Sequence, residues 1–165
     1  MSLSVNWQFL SPDQRDLIKD GLFLLEEVET RGLAGISDYS FLVAPFAKAY
    51  EGFLKDFFLR LGLITKRNYN SDYFRVGKVL NPNLSQRRFS VYSKLEKLKY
   101  GNRALAEKLW QAWKNGRNQV FHYFPHNLKK LTLFGARETA EMILEAINQA
   151  SLMIDKNGKR ADNWQ

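Results

Sequence analysis

One short segment, 116–126, holds the residue types that could carry chemistry: GRNQVFHYFPH. It contains both histidines of the chain, and Arg117 lies five positions before the first of them, His122. Histidine can transfer protons near neutral pH because its ordinary pKa is about 6.5. Arginine can hold a phosphate because its guanidinium is planar and permanently charged. RNA supplies its own nucleophile, the 2′-hydroxyl, so these two side chains suffice in kind for metal-free cleavage that leaves a 2′,3′-cyclic phosphate.

The spacing of Arg117 and His122 places a condition on the backbone. Five residues of ideal α-helix turn through about 500°, so the two side chains would point about 140° apart. Either the helix loosens after Gly116, or a second copy of the chain completes the groove in a twofold dimer. His122 and His126 are separated by Pro125 and lack nearby carboxylates, so we predict neither a metal site nor a cofactor.

The motif also resembles a known family. The pattern Arg117-Asn118-x-x-x-His122, late in a small helical chain, resembles the Arg-x(4–6)-His motif of the HEPN superfamily. A second segment, 49–64 (AYEGFLKDFFLRLGLI), is similar to the helix that carries a glutamate in many such domains, here Glu51. Together the two segments most resemble the toxin ribonuclease domain of the RnlA/LsoA type. A branch partnered by nucleotidyltransferase antitoxins carries a tyrosine two positions after the histidine, where this chain has Phe124.

The resemblance implies an activity and a set of roles. Many HEPN domains are metal-independent ribonucleases, often toxins or phage-defence effectors, that act as homodimers with a composite cleft. By this resemblance, Arg117 would hold the scissile phosphate and His122 would transfer protons. Asn118 and Glu51 would orient them. The implied partners are RNA, a second copy of the chain and a protein antitoxin. The alternative within the same fold is a non-catalytic module that binds RNA, a nucleotide or a protein.

In its functional role Glu51 could be half-buried and pair with Arg117, holding the guanidinium in place. Several of these residues also have simpler interpretations. Glu51 could be an exposed helix glutamate that pairs with Lys55 four residues on. Arg117 could stack on Trp113 one turn earlier. A purely structural helical adaptor would bury both histidines away from Arg117. The side chains around the segment that we predict to contact RNA are Tyr123, His126, Lys129, Lys130 and Lys114.

Composition narrows the class of protein. A chain of 165 residues, 45% of them apolar, suits a single domain, 1–165, with one core. The absence of cysteine excludes disulfides and thiolate chemistry and is compatible with the cytoplasm. We see no signal peptide and no apolar run of membrane-spanning length, so we predict no membrane association. The net charge of +8 favours a polyanionic partner such as RNA.

Hydrophobic periodicity predicts an all-α fold, an up-and-down bundle of four to five helices of HEPN-like type. The predicted helices span about 12–30, Ser37-Asp38 to Leu61-Gly62, about 84–99, Gly101-Asn102 to Pro125, and 136–154. The second helix carries a wide apolar stripe and is expected to be the central one. Pro45 is expected to bend it near its start. The segment 63–83 is irregular, and its part 73–80 fits either a short strand or an extra helical turn. The polar tail from about residue 155 is expected to fray.

Overall fold

Helices form all of the regular secondary structure that the computed structural model describes, which covers residues 3–32 and 35–156. The prediction of an all-α fold is therefore confirmed. In this described part, seven α-helices follow one another: α1 Pro12–Arg31, α2 Ala44–Arg60, α3 Lys66–Tyr69, α4 Val76–Leu80, α5 Val91–Lys97, α6 Arg103–Trp113 and α7 Leu133–Lys156. The long helices α1, α2, α6 and α7 pack side by side, and α3, α4 and α5 are short. The predicted number of helices was too low because it did not include the short helices α3 and α4.

Helix α1 begins and ends as its sequence predicts. The Ser11 hydroxyl accepts a hydrogen bond from the Gln14 backbone N–H at 3.2 Å, and the Gln14 side chain accepts one from Ser11 N–H at 3.1 Å. This reciprocal cap satisfies two backbone donors that a helix start would otherwise leave free. At the other end Gly32 adopts a left-handed φ of 60°, which stops the helix.

Helix α2 lies at the centre of the molecule, as predicted, and packs against both α1 and α7. The buried Tyr50 hydroxyl donates to the Leu109 carbonyl at 3.0 Å and ties α2 to α6. The predicted start of α2 was wrong, because a separate 3₁₀ turn, Ser40–Val43, comes before it. Pro45 lies in the first turn of α2. Backbone N–H groups in a first turn have no partner within the helix, so the missing N–H of Pro45 costs no hydrogen bond and the residue initiates the helix.

The region between α2 and α6 consists of short helical pieces. The undecided segment 73–80 contains a helix, α4, and a 3₁₀ turn, Pro82–Leu84, follows it. The predicted third helix, 84–99, was too long, because only Val91–Lys97 is α-helical. Ser90 sets this start: its hydroxyl accepts from Ser93 N–H at 3.2 Å, while its own N–H donates to the Arg87 carbonyl in a preceding turn at 2.9 Å.

Helix α6 ends earlier than predicted. After Trp113 it widens into a π-helical turn, Lys114–Asn118, which a hydrogen bond from Gln119 N–H to the Lys114 carbonyl closes at 2.9 Å. The backbone then leaves helical conformation well before Pro125. We had predicted that Pro125 terminates α6. Instead, it starts a separate 3₁₀ turn.

Helix α7 is longer than the predicted 136–154 at both ends. Residues 155 and 156, predicted to belong to a frayed tail, are its last helical residues, and 157–165 lie outside the described residues. Its inner face is fully buried, with Ala140, Ile143 and Ile147 each 0% exposed, and it joins one continuous apolar cluster with α1, α2 and α6. No helix within 3–32 or 35–156 is long and apolar enough to cross a membrane.

Candidate functional site

The π-helical turn Lys114–Asn118 is the frame of the candidate site. Gly116 in this turn is buried against α7, and a β-carbon built on it would lie 2.8 Å from the Cδ1 atom of Ile143. A larger residue at position 116 would therefore force the buried Ile143 side chain of α7 to shift. Of the two alternatives left by the spacing of Arg117 and His122, loosening of the helix is the one observed, and it begins at Lys114, shortly before Gly116.

The Arg117 side chain is held on two sides. Its Nε–H donates to Glu51 Oε2 at 3.3 Å, and its guanidinium carbon lies 5.6 Å from the centroid of the Trp113 ring. The pairing of Glu51 with Arg117 is therefore present, and so is the stacking on Trp113. The simpler alternative, a pairing of Glu51 with Lys55, is not found among the described residues, where the Lys55 ammonium lies over the Phe74 ring at 6.0 Å.

The Arg117–Glu51 pair is open to solvent. The two side chains are 37% and 34% exposed, so their mutual attraction contributes at most about 1 kcal/mol to stability. A guanidinium has five N–H donors. Within the described residues, Arg117 uses only Nε–H, so both terminal NH₂ groups are left to bind an anion. The pair thus orients the guanidinium more than it stabilises the fold.

The second pair of side chains in the site is His122 and Asn118. The imidazole Nε2 lies 3.1 Å from Asn118 Oδ1, and both side chains are exposed. An amide oxygen can only accept, so with this orientation Nε2 carries a proton and donates it. The other ring nitrogen, Nδ1, is then the one that can take up a proton from a substrate. A structural adaptor with buried histidines is contradicted, because both His122 and His126 are exposed.

The Arg117–Glu51 pair and the His122–Asn118 pair are connected only through the backbone. Arg117 and Asn118 are consecutive in the π-helical turn, yet in the part of the chain described here no hydrogen bond joins Arg117 to His122. Each side chain has its own orienting partner, Glu51 for the arginine and Asn118 for the histidine. The arrangement is two oriented groups side by side at one open surface.

The predicted RNA-contacting residues lie around this turn and in the following loop. The Tyr123 side chain is 81% exposed. His126 is exposed in a left-handed conformation with φ 60°, and Lys129 lies over the Phe124 ring at 5.9 Å. Of the remaining predicted residues, Lys130 is exposed in the loop, and Lys114 is half-buried at the start of the π-helical turn. None of the three lysines forms an ion pair within the described residues, so their charges are available to a ligand.

One residue that the sequence did not predict for the site, Asp38, holds this loop in place. Its carboxylate accepts from Ser40 N–H at 2.9 Å, Asn127 Nδ2 at 3.0 Å and Leu131 N–H at 3.1 Å. Burial alone would raise the pKa of Asp38, but hydrogen bonds from Ser40, Asn127 and Leu131 outweigh it and lower the pKa from 3.8 to about 2. The Asp38 carboxylate therefore fastens the histidine-bearing loop to the segment before α2.

Comparison of the chain with protein-family models, curated proteins and solved structures finds no match. The resemblance to HEPN domains therefore depends on the residues of the two quoted segments. In the structure these segments are in contact, because Glu51 of one is hydrogen-bonded to Arg117 of the other.

Proposed function

We propose that this protein is a metal-independent endoribonuclease of HEPN type, acting as a toxin or phage-defence effector in the cytoplasm. The observation that carries the proposal is the oriented, solvent-open guanidinium of Arg117, held by Glu51 beside an exposed His122–Asn118 pair. A guanidinium with two free NH₂ groups suits a phosphodiester, and an exposed imidazole suits proton transfer to and from a polymer.

The proposed reaction needs a phosphate ligand, a base and an acid. Arg117 binds the non-bridging oxygens of the scissile phosphate and stabilises the charge that develops on them. An imidazole accepts the proton of the 2′-hydroxyl as its oxygen attacks phosphorus. The bond from phosphorus to the 5′-oxygen breaks, and a protonated imidazole gives that oxygen a proton. The products are a 2′,3′-cyclic phosphate and a 5′-hydroxyl, and no atom or electron is taken from another reactant.

The need for both a base and an acid supports a homodimer. Each chain brings one histidine oriented by a side-chain partner, His122 beside Asn118, whereas no hydrogen bond orients the His126 ring within the described residues; a second copy would supply the second oriented imidazole in a twofold cleft. The exposed aromatic and apolar side chains near the turn fit such an arrangement: Phe121, Tyr123, Leu128 and Phe134 are 42–81% exposed. By its resemblance to toxins of the RnlA/LsoA type, we propose a protein antitoxin as the partner that restrains the activity.

The test is cleavage of a labelled single-stranded RNA in EDTA. We expect His122→Ala to lower the rate by about 10²–10⁴-fold and Arg117→Ala by about 10²–10³-fold. Arg103→Ala is the matched control, because Arg103 is an arginine with a side chain 86% exposed at the opposite end of α6. Glu51→Gln should lower the rate less than either, because the amide still accepts a hydrogen bond but loses the charge.

Two outcomes would contradict the proposal. Equal cleavage by wild type and His122→Ala would mean that the activity belongs to a contaminant. RNA binding without cleavage by any variant would favour the non-catalytic module. Product ends provide a further check, since 2′-hydroxyl attack requires a cyclic phosphate at the 3′ end of the upstream fragment.

A further inference from the structure

The positive charge of this protein is concentrated in one part of the chain. Residues 62–95 contain seven lysines and arginines but one acidic residue, Asp72, so this segment carries six of the eight net positive charges. The basic residues are Lys66, Arg67, Arg75, Lys78, Arg87, Arg88 and Lys94. A charge maintained only for solubility would be spread over the surface. Its concentration here indicates a surface that binds an anionic partner.

The same segment forms a cleft of about 350 Å³. Its walls combine three cationic side chains with three aromatic rings: Arg75, Lys78, Lys94, Tyr73, Phe74 and Phe89. No acidic side chain lines the cleft among the described residues. The Tyr73 side chain is 90% exposed and the Phe89 side chain 41%, although both are large rings that a monomer usually buries.

The cations of the cleft are oriented by the protein itself. The Arg75 guanidinium donates to the backbone carbonyls of Asp72 and Phe74, and Lys94 Nζ donates to the Leu63 carbonyl at 3.1 Å. Lys78 Nζ lies 5.2 Å from the centroid of the Phe89 ring. None of these three cations forms an ion pair with a carboxylate within the described residues. Their charge is therefore not neutralised inside the molecule.

Cations interleaved with exposed rings match single-stranded RNA better than other polyanions. Phosphates can contact the lysines and arginines, while unpaired bases can stack on the rings. In a duplex the base faces are already covered by their neighbours, so rings such as Tyr73 and Phe89 would have nothing to stack on. An acidic protein segment would use the charges but would leave the rings without a specific role.

Two contacts connect the cleft to the Arg117 site. Gly77 of α4 packs so closely on Trp113 that a β-carbon there would lie 2.5 Å from the indole Nε1, and Trp113 is the ring on which Arg117 stacks. Along α2, Glu51 holds Arg117, and Lys55, about 6 Å further along the axis, contacts Phe74 in the cleft wall. The cleft and the site therefore share two supports and are neighbours.

We propose that the cleft lined by Tyr73, Phe89 and Lys78 is a binding site for single-stranded RNA that holds the polymer next to Arg117. Its role in presenting a substrate rests on the proposed ribonuclease function. Binding of RNA in the cleft itself does not require cleavage, which allows the two to be tested separately.

The experiment measures binding of a fluorescent single-stranded RNA of about 12 nucleotides by anisotropy, in the His122→Ala background so that the RNA stays intact. Loss of one base–ring stack should raise Kd about 5- to 150-fold in Tyr73→Ala, whereas Tyr73→Phe, which keeps the ring, should bind normally. Tyr73 is 90% exposed, so its replacement should leave the fold intact. Phe23→Ala is the matched control, because Phe23 is an exposed ring on α1, outside the cleft.

A second variant tests the charge. Lys78→Ala should lower the slope of log Kd against log salt by about 0.7, the value for one phosphate contact to a single strand. An unchanged Kd in Tyr73→Ala together with an unchanged slope in Lys78→Ala would overturn the proposal, as would the absence of RNA binding. Duplex RNA that binds as tightly as the single strand, or equally in Tyr73→Ala and wild type, would also overturn it.

The failure of either proposal can be recognised separately. If Tyr73→Ala weakens binding but the wild-type protein does not cut RNA, the cleft proposal stands and the ribonuclease proposal falls. If the wild-type protein cuts RNA and Tyr73→Ala alters neither binding nor KM, the ribonuclease proposal stands and the cleft proposal falls.

Discussion

Asp38→Asn should weaken the attachment of the histidine-bearing loop, and it should do so in a pH-dependent way. In the wild-type protein, Oδ2 of Asp38 accepts from Asn127 Nδ2 at 3.0 Å, and Oδ1 accepts from Ser40 and Leu131 N–H. Asparagine at position 38 has one oxygen in place of two. Its NH₂ group would face the backbone N–H groups, which are donors, or Asn127, which would have to turn its amide over to present an oxygen. The substitution therefore removes both a charge and a hydrogen-bond acceptor.

The magnitude follows from the pKa of Asp38, which falls from 3.8 in the unfolded chain to about 2 in the folded one. A difference of this size corresponds to about 2 kcal/mol in favour of the ionised folded state. Asp38 is partly exposed, so solvent screening reduces the expected value to about 1–2 kcal/mol. Because the folded pKa is the lower one, this stabilisation is complete above about pH 4 and is lost as the pH falls towards 2.

The assay is urea unfolding of wild type and Asp38→Asn, followed by circular dichroism, between pH 2 and pH 7. The difference in the free energy of unfolding should be constant above about pH 4 and shrink towards zero as the pH falls to about 2, where half of Asp38 is protonated in the folded protein. Asp16→Asn is the control: its partner Lys19 is 3.2 Å away in an exposed pair, so the change should stay within about 0.5 kcal/mol. A difference that is absent at pH 7, or that persists unchanged to pH 2, would refute the reasoning.

Three further substitutions test the packing around the site, the first and the last by urea unfolding and the second by tryptophan fluorescence. Gly116→Ala should destabilise the protein by about 1–3 kcal/mol, because the new methyl group would lie 2.8 Å from a side chain of α7; equal or higher stability would mean that α7 moves away freely. Gly77→Ala should displace Trp113, whose Nε1 would be 2.5 Å from the new carbon, and should change the tryptophan emission spectrum; an unchanged spectrum would contradict this contact. Tyr50→Phe should cost about 0.5–1.5 kcal/mol, because it removes the buried hydrogen bond to the Leu109 carbonyl while that carbonyl stays within α6; an unchanged stability would mean that this bond contributes nothing.

Helix starts that are stabilised by residues close in sequence could be predicted. The Ser11–Gln14 cap lies within one turn of α1, and all of its information is local. The central position of α2 followed from an apolar stripe too wide for a surface helix. The start of α5 was mistaken because apolar residues before Ser90 continue the helical spacing, although they lie in turns stabilised by other contacts.

Features that depend on distant residues were less predictable. The Asp38 carboxylate binds residues 89 and 93 positions away, and nothing in its own neighbourhood marks it as more than a helix cap. The contact of Glu51 with Arg117 spans 66 positions, and it was anticipated only through the resemblance to a family. The π-helical turn depends on how closely Gly116 approaches α7, which hydrophobic periodicity does not report.

The π-helical turn Lys114–Asn118 sets the direction in which the side chains after α6 point. In an α-helix each residue rotates the chain by about 100°, whereas the i→i+5 hydrogen bonds of a π turn spread one turn over more residues, so each residue rotates the chain less. If residues 114–118 continued α6 as a regular α-helix, the extra rotation would accumulate over the four residues after Trp113 and would turn Arg117 away from Glu51. The composition of the segment would be unchanged, yet the guanidinium would lose its carboxylate partner. The site thus depends on the number of residues in one turn as much as on their identity.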